Sequence, residues 1–142
     1  MKPYMQSLIR TEDLRLFREI ESLINDMPEV SLGVDAEGKK VLVSCHMIAH
    51  ALPNIFPRLE AQDGFFARVG QNHSWLIIRE NRYLIIDPYP LALLGGPIMV
   101  HGGFATTPWN SLYIEARLEE LENDTFERHV RLVTQAMVST LP

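Results

Sequence analysis

The stretch that decides the fold runs from residue 73 to residue 87 and reads HSWLIIRENRYLIID. Its two apolar runs are rich in β-branched and aromatic residues, and they predict strands from His73 to Arg79 and from Tyr83 to Asp87 that are buried on both faces. The short polar segment between them predicts a hairpin turn. We expect residue 73 to pair near residue 88 or 89, which brings His73 and Asp87 close together on adjacent strands.

Two helices are predicted before this hairpin. The first covers residues 11–26 and has Thr11 as its N-cap, because apolar residues recur there at helical spacing: Leu14, Phe17, Ile20, Leu23 and Ile24. The second starts at Ser44 or Cys45 and continues to about Leu52. Residues 33–40 read as a loop or turn between the two helices.

Further elements are predicted on either side of the hairpin. Strands are expected over residues 65–70 and 98–100, whereas residues 112–116 fit either a strand or the start of a helix. A C-terminal helix is predicted from a capping box of Asp124 and Glu127 and from apolar residues at helical spacing: Phe126, Val130, Val133 and Met137. The chain is therefore expected to be one α+β domain over residues 1–142, with helices packed on a small antiparallel sheet.

Composition limits the classes of function. A net charge of −5 argues against nucleic acid or an anionic membrane as the main partner. A single cysteine cannot form an internal disulfide, and neither a signal peptide nor a run of about 20 apolar residues is visible. We therefore expect a cytoplasmic protein that needs no cofactor or metal. The oligomeric state stays open.

The single cysteine, Cys45, lies where the second helix is predicted to begin. A thiol is a good nucleophile only as thiolate, and a helix N-terminus together with an imidazolium lowers the pKa of cysteine from about 8.5. The amides of the same first turn can stabilise the oxyanion that forms when a carbonyl is attacked. With His73 as the base and Asp87 as the acid that orients it, the sequence predicts a Cys-His-Asp site.

The order and context of these residues resemble the papain-like/transglutaminase-like cysteine hydrolase superfamily. The run from His73 to Leu76 is similar to its His-x-Trp-hydrophobic strand, and the run from Ile85 to Pro88 is similar to its hydrophobic-Asp-Pro strand end. The resemblance covers residues 41–90. It implies a papain-like core and a thiol hydrolase or acyltransferase that acts on an amide or ester-like bond in a peptide, protein or small amide substrate. In that reading Cys45 is the nucleophile.

Several polar and aromatic residues near the predicted triad are candidates for binding substrate or an oxyanion: Ser44, Gln62, Gln71, Asn72, Trp75 and Trp109. The glycine-containing segments 95–97 and 101–103 follow Asp87 and are candidates for a rim over the site.

Two other readings stay open. The first is a catalytically inert binding or interaction module on the same fold. The second is a metal site made by His46 and His50, which are four residues apart on the predicted helix, with Cys45 nearby. Adjacent helical residues diverge by about 100°, so Cys45 and His46 do not converge easily on one ion. Without a metal, His46 is expected to be exposed and His50 half-buried.

Overall fold

The computed structural model of the chain describes residues 2–3, 10–25, 31–66, 71–88, 98–101 and 113–141. Its helices are α1 Thr11–Asn25, α2 Cys45–Ala51 and α3 Asp124–Ser139. Its strands are β1 Lys2–Pro3, β2 Ser31–Val34, β3 Lys40–Leu42, β4 Leu59–Phe66, β5 Gln71–Ile78, β6 Asn81–Asp87, β7 Ile98–His101 and β8 Tyr113–Glu115. Of the helices in these ranges, none combines the length and hydrophobicity needed to cross a bilayer.

Six of the strands form one sheet in the order β1-β7-β6-β5-β4-β8. β1 runs parallel to β7, and every other neighbouring pair is antiparallel. β2 and β3 form a separate two-stranded sheet. The predicted α+β class is confirmed.

The central hairpin of β5 and β6 follows the prediction closely. Both strands begin two residues before their predicted starts. Leu76 aligns with Ile86 and Ile77 with Ile85, and this register places Asp87 diagonally across from His73. Residues 73–78 and 84–87 are all buried, so the predicted burial of both faces is confirmed.

Alternate side chains of this hairpin enter two different cores, because successive residues of a strand point to opposite faces. The first core lies between the sheet and the helices and includes Leu76, Ile78 and Ile86 together with apolar residues of α1, α2 and α3. The second core lies on the opposite face and is formed by Trp75, Ile77, Ile85 and Ile98, with Tyr113 packed against it. The side chains of consecutive β5 residues are therefore buried in different cores, on opposite faces of the sheet.

Two predicted segments of secondary structure are corrected, and a third, which had two readings, is a strand. β4 begins at Leu59 rather than at residue 65, and it pairs with β5 along its whole length. The prediction missed its first part because polar residues there hide the apolar pattern by which a buried strand is recognised. Residues 67–70 of the predicted strand lie outside the described ranges. Residues 33–40, expected to be a loop, include the end of β2 and the start of β3. The segment 112–116, which had two readings, contains the strand β8.

Both predicted helix caps are displaced by one residue. The carbonyl of Arg10 accepts the first helical hydrogen bond, from the backbone N of Leu14 at 3.0 Å, so Arg10 rather than Thr11 is the N-cap of α1. In α3, Oδ1 of Asn123 accepts from the backbone N of Phe126 at 2.8 Å, which makes Asn123 the cap. Asn and Asp cap about equally well, so the sequence does not distinguish Asn123 from the predicted Asp124.

Asp35 attaches the β2–β3 turn to α3. Its Oδ1 accepts from the backbone N of Glu37 and of Lys39, both at 2.9 Å. Its Oδ2 accepts from Nη2 of Arg128 at 2.9 Å and from Nε2 of His129 at 2.8 Å. The hydrogen bond from Lys39 and then that from His129 hold the pKa of Asp35 well below its ordinary value.

We expect Asp35→Asn to lower the melting temperature at pH 7 by several degrees. A depressed carboxyl pKa stabilises the fold above the unfolded value of about 3.9, and that contribution is lost as the pH falls below it. The difference between wild type and variant should therefore shrink in thermal melts below about pH 4. Glu37→Gln, which alters an exposed partner of Arg128, is the control. Equal melting temperatures for wild type and Asp35→Asn at pH 7 would contradict this role.

Candidate active site

Cys45 is the first residue of α2, as predicted. The preceding Ser44 is extended, with φ −125° and ψ 169°, and its Oγ accepts from the backbone N of Met47 at 3.3 Å. Ser44 therefore acts as the N-cap that starts the helix at the thiol. Cys45 itself is half-buried and is not sealed inside the protein.

His73 and Asp87 are joined by a short hydrogen bond. Nε2 of His73 and Oδ2 of Asp87 are 2.7 Å apart, and both side chains have 0% exposure. The hydroxyl of Tyr113 donates to the same Oδ2 at 2.8 Å. Because an ionised carboxylate only accepts, Nε2 of His73 carries the proton and Nδ1 holds the lone pair in the neutral ring. Asp87 thus orients the ring and fixes its tautomer.

Aromatic rings surround His73 on the face of the sheet opposite the helices. The centroids of Phe66, Trp75 and Tyr113 lie 6.1, 6.1 and 6.3 Å from that of His73. This packing removes water from the ring, which by itself disfavours the imidazolium form. The interaction with Asp87 has to offset that cost whenever His73 is charged.

Cys45 and His73 change each other's pKa. Burial raises the pKa of the Cys45 thiol, but interaction with His46 and His73 outweighs burial and lowers that pKa from 9.0 to about 6. Burial lowers the pKa of His73, but Asp87 and Cys45 raise it from 6.5 to about 9. Nδ1 of His73 has no hydrogen-bond partner among the described residues, so the Cys45 thiol does not form a conventional hydrogen bond with this ring. A thiolate–imidazolium pair is favoured between these two pKa values.

A second polar network lies on the helix side of the sheet and includes His46, the residue after Cys45. Nδ1 of His46 lies 2.7 Å from Oγ of Ser74, and this hydroxyl donates to Oδ1 of Asp63 at 2.6 Å. The same Oδ1 lies 2.7 Å from Nε2 of His50. Burial raises the pKa of Asp63, but hydrogen bonds from His50 and Ser74 outweigh burial and keep it below its ordinary value. Asp63 is therefore the acceptor that orders this network.

The candidate binding residues occupy different environments. Trp75 is 1% exposed, and its Nε1 donates to Oε1 of Gln62 at 2.9 Å. Trp75 is therefore corrected from a substrate-binding candidate to a core residue, and the amide oxygen of Gln62 is engaged in holding it. Gln71 and Asn72 are exposed at the start of β5, where Asn72 donates to Glu120. Trp109 and segment 95–97 lie outside the described residues, as do residues 102–103 of the other rim segment.

Both histidines of α2 form hydrogen bonds with side chains of the sheet. His46 contacts Ser74 and His50 contacts Asp63, and both rings are half-buried, which corrects the expected exposure of His46. Across the described part of the chain, no group of three or more His, Cys, Asp or Glu side chains is arranged to hold a metal ion. The geometry gives the metal reading no support.

Three residues of the site are absent from the sequence-based prediction. Tyr113 reaches Asp87 only because β8 pairs with β4, and that pairing has no local signal. Asp63 lies on the part of β4 that the sequence pattern hides. Ser74 was detectable in principle, because it follows His73 on a predicted strand and must point to the opposite face.

No protein-family profile, curated protein sequence or solved structure matches this chain.

Proposed function

We propose that the protein is a thiol hydrolase or acyltransferase that acts on an amide or ester-like bond through Cys45, His73 and Asp87. The observation that carries this proposal is the buried 2.7 Å bond between His73 and Asp87 beside a half-buried thiol at the start of a helix. Perturbed pKa values at such a cluster are typical of catalytic sites. The pKa of Cys45, lowered to about 6, supports a thiolate at neutral pH.

The proposed reaction proceeds through an acyl-enzyme. The Cys45 proton moves to Nδ1 of His73, and the thiolate attacks the carbonyl carbon to form a C–S bond. The oxyanion accepts from the backbone N–H of Cys45, which belongs to the first helical turn and has no acceptor within the helix. His73 returns its proton to the leaving group as the carbon–leaving-group bond breaks. Water or an amine then attacks, gives a proton to His73 and releases the thiolate.

We also propose that the arrangement is a papain-like core. α2 begins at Cys45, β5 carries His73 and β6 carries Asp87, which is the order that the resemblance implies. The proposed substrate is a peptide, a protein or a small amide. A working free thiol also suits the reducing cytoplasm, where we propose that the protein acts.

The pH dependence of Cys45 alkylation by iodoacetamide tests the proposal. We expect the rate to rise with a midpoint near pH 6, well below the midpoint of about 8.5 expected for the urea-unfolded protein, because the folded site lowers the thiol pKa to about 6. The midpoint is a better readout than the rate at one pH, since nucleophilicity falls as the thiol pKa falls.

Acylation by an activated ester, followed by peptide mapping, gives the second readout. One acyl group is expected on Cys45 of the folded protein and none in Cys45→Ala. A midpoint near that of free cysteine, about 8.5, together with no acylation, would contradict the enzyme proposal and favour the inert binding module instead.

A further inference from the structure

The two histidines of α2 meet two residues that are neighbours across the sheet. His46 and His50 are four residues apart, so they lie on one side of the helix with Cβ atoms about 5–6 Å apart. Ser74 on β5 and Asp63 on β4 are partners in the antiparallel register. Such partners have Cβ atoms about 4.5–5.5 Å apart, so the spacing of the histidines matches that of the residues they contact on the sheet.

Short hydrogen bonds join the helix to both strands. Nδ1 of His46 lies 2.7 Å from Oγ of Ser74, and Nε2 of His50 lies 2.7 Å from Oδ1 of Asp63. Ser74 donates its one hydroxyl proton to the same Oδ1 at 2.6 Å, so its oxygen is the acceptor for His46. Ser74 is fully buried, so water does not compete for these bonds.

The contact between His46 and Ser74 relates the thiol to the base. His46 is the residue after Cys45, and Ser74 is the residue after His73. Because consecutive Cα atoms are about 3.8 Å apart, this one contact restricts the backbone positions of Cys45 and His73 relative to each other. α2 has only seven residues, and a helix of that length is marginal in isolation, so its placement depends on tertiary contacts.

We propose that His46 and His50 are positioning residues, which hold α2 on Ser74 and Asp63 and thereby set the place of Cys45 relative to His73. This inference rests on the proposed function and gives a role to two histidines that the triad does not use. It requires no contact between the His46 ring and the sulfur, because the two contacts act through the backbone of α2.

Hydrogen exchange of α2 tests the two contacts without a catalytic readout. The amides of residues 48–52 donate to carbonyls one helical turn earlier. We expect Ser74→Ala and Asp63→Ala each to speed their exchange about tenfold, because each variant removes two hydrogen bonds of the network. The amides of α1 should keep their wild-type rates. Ser139→Ala, which removes a serine hydroxyl near the end of α3, is the matched control.

The alkylation midpoint of Cys45 with iodoacetamide then connects the two contacts to the site. We expect Ser74→Ala and Asp63→Ala to raise the midpoint by about one pH unit, a tenfold change in the thiolate equilibrium, because Cys45 and His73 are held together less firmly. The sign is informative for Asp63→Ala, since loss of a negative charge would by itself favour the thiolate and lower the midpoint. Ser139→Ala should keep the wild-type midpoint.

The outcomes separate this inference from the function on which it rests. Wild-type exchange of α2 in both variants would overturn the inference and leave the triad standing. Faster exchange with an unchanged midpoint would also overturn it, because α2 would then be loosened without consequence for the thiol. A wild-type midpoint near that of free cysteine, about 8.5, would overturn both proposals. If either variant fails to fold, His50→Leu removes one half-buried contact alone and carries the exchange test with the same expected result.

Discussion

Asp87→Asn is expected to move the alkaline limb of the pH–rate profile for ester hydrolysis from about pH 9 to below 7. The limb reports loss of the proton from His73, whose pKa is raised from 6.5 to about 9 against the effect of burial. Removing the Asp87 charge leaves only Cys45 to oppose the effect of burial, so the pKa of His73 falls. The range from about pH 6 to about 9 in which thiolate and imidazolium coexist then closes. Turnover at pH 7.5 should fall by about 10²-fold or more.

Steady-state hydrolysis of an activated ester between pH 5 and 10 measures both effects, and NMR titration of His73 measures the pKa directly. Asp35→Asn is the matched control, since it also neutralises a buried aspartate that accepts from a histidine but belongs to the contact between the β2–β3 turn and α3. We expect the control to keep the wild-type profile at temperatures where it is folded. An unchanged alkaline limb in Asp87→Asn would show that Asp87 does not set the proton affinity of His73.

The contact that this experiment probes could be predicted from the sequence because it is local. His73 and Asp87 belong to one hairpin, and the distance between two positions of a hairpin depends only on the turn and the register. The start of α2 was equally accessible, since Ser44 is a good cap and Cys45 opens the helical pattern. Both inferences use fewer than twenty consecutive residues each.

The rest of the site depends on pairings between distant parts of the chain. Tyr113 reaches Asp87 through a strand that pairs with β4, and Asp63 meets His50 and Ser74 only once β4 has packed below α2. β4 itself mixes polar and apolar residues at positions that are half-buried. Periodicity detects a strand only when burial alternates or is continuous, so neither the first part of this strand nor the acid on it could be recognised.

Gly64 shows how closely the edge strand β8 is fitted against the strand that carries Asp63. It lies on β4 opposite His73 on one side and Glu115 on the other. A Cβ atom at this position would lie 1.9 Å from the carbonyl oxygen of Ile114 and 2.9 Å from the backbone N of Ala116. Both obstacles are main-chain atoms of β8 and the residue after it, so no side-chain rotation can relieve the clash.

Gly64→Ala is therefore expected to force β8 away from β4 and to lower the free energy of unfolding by about 1–3 kcal/mol, as for other overpacked sites. β8 carries Tyr113, whose hydroxyl donates to Asp87 at 2.8 Å, so the variant should also lose this bond and alter the titration of His73. Urea unfolding measures the first effect and the pH–rate profile the second. Tyr113→Phe removes the hydroxyl alone, so it should reproduce the altered profile with a smaller loss of stability. Wild-type stability in Gly64→Ala would mean that β8 does not lie as close to β4 as these distances require, and the support that Tyr113 gives to Asp87 would then need another explanation.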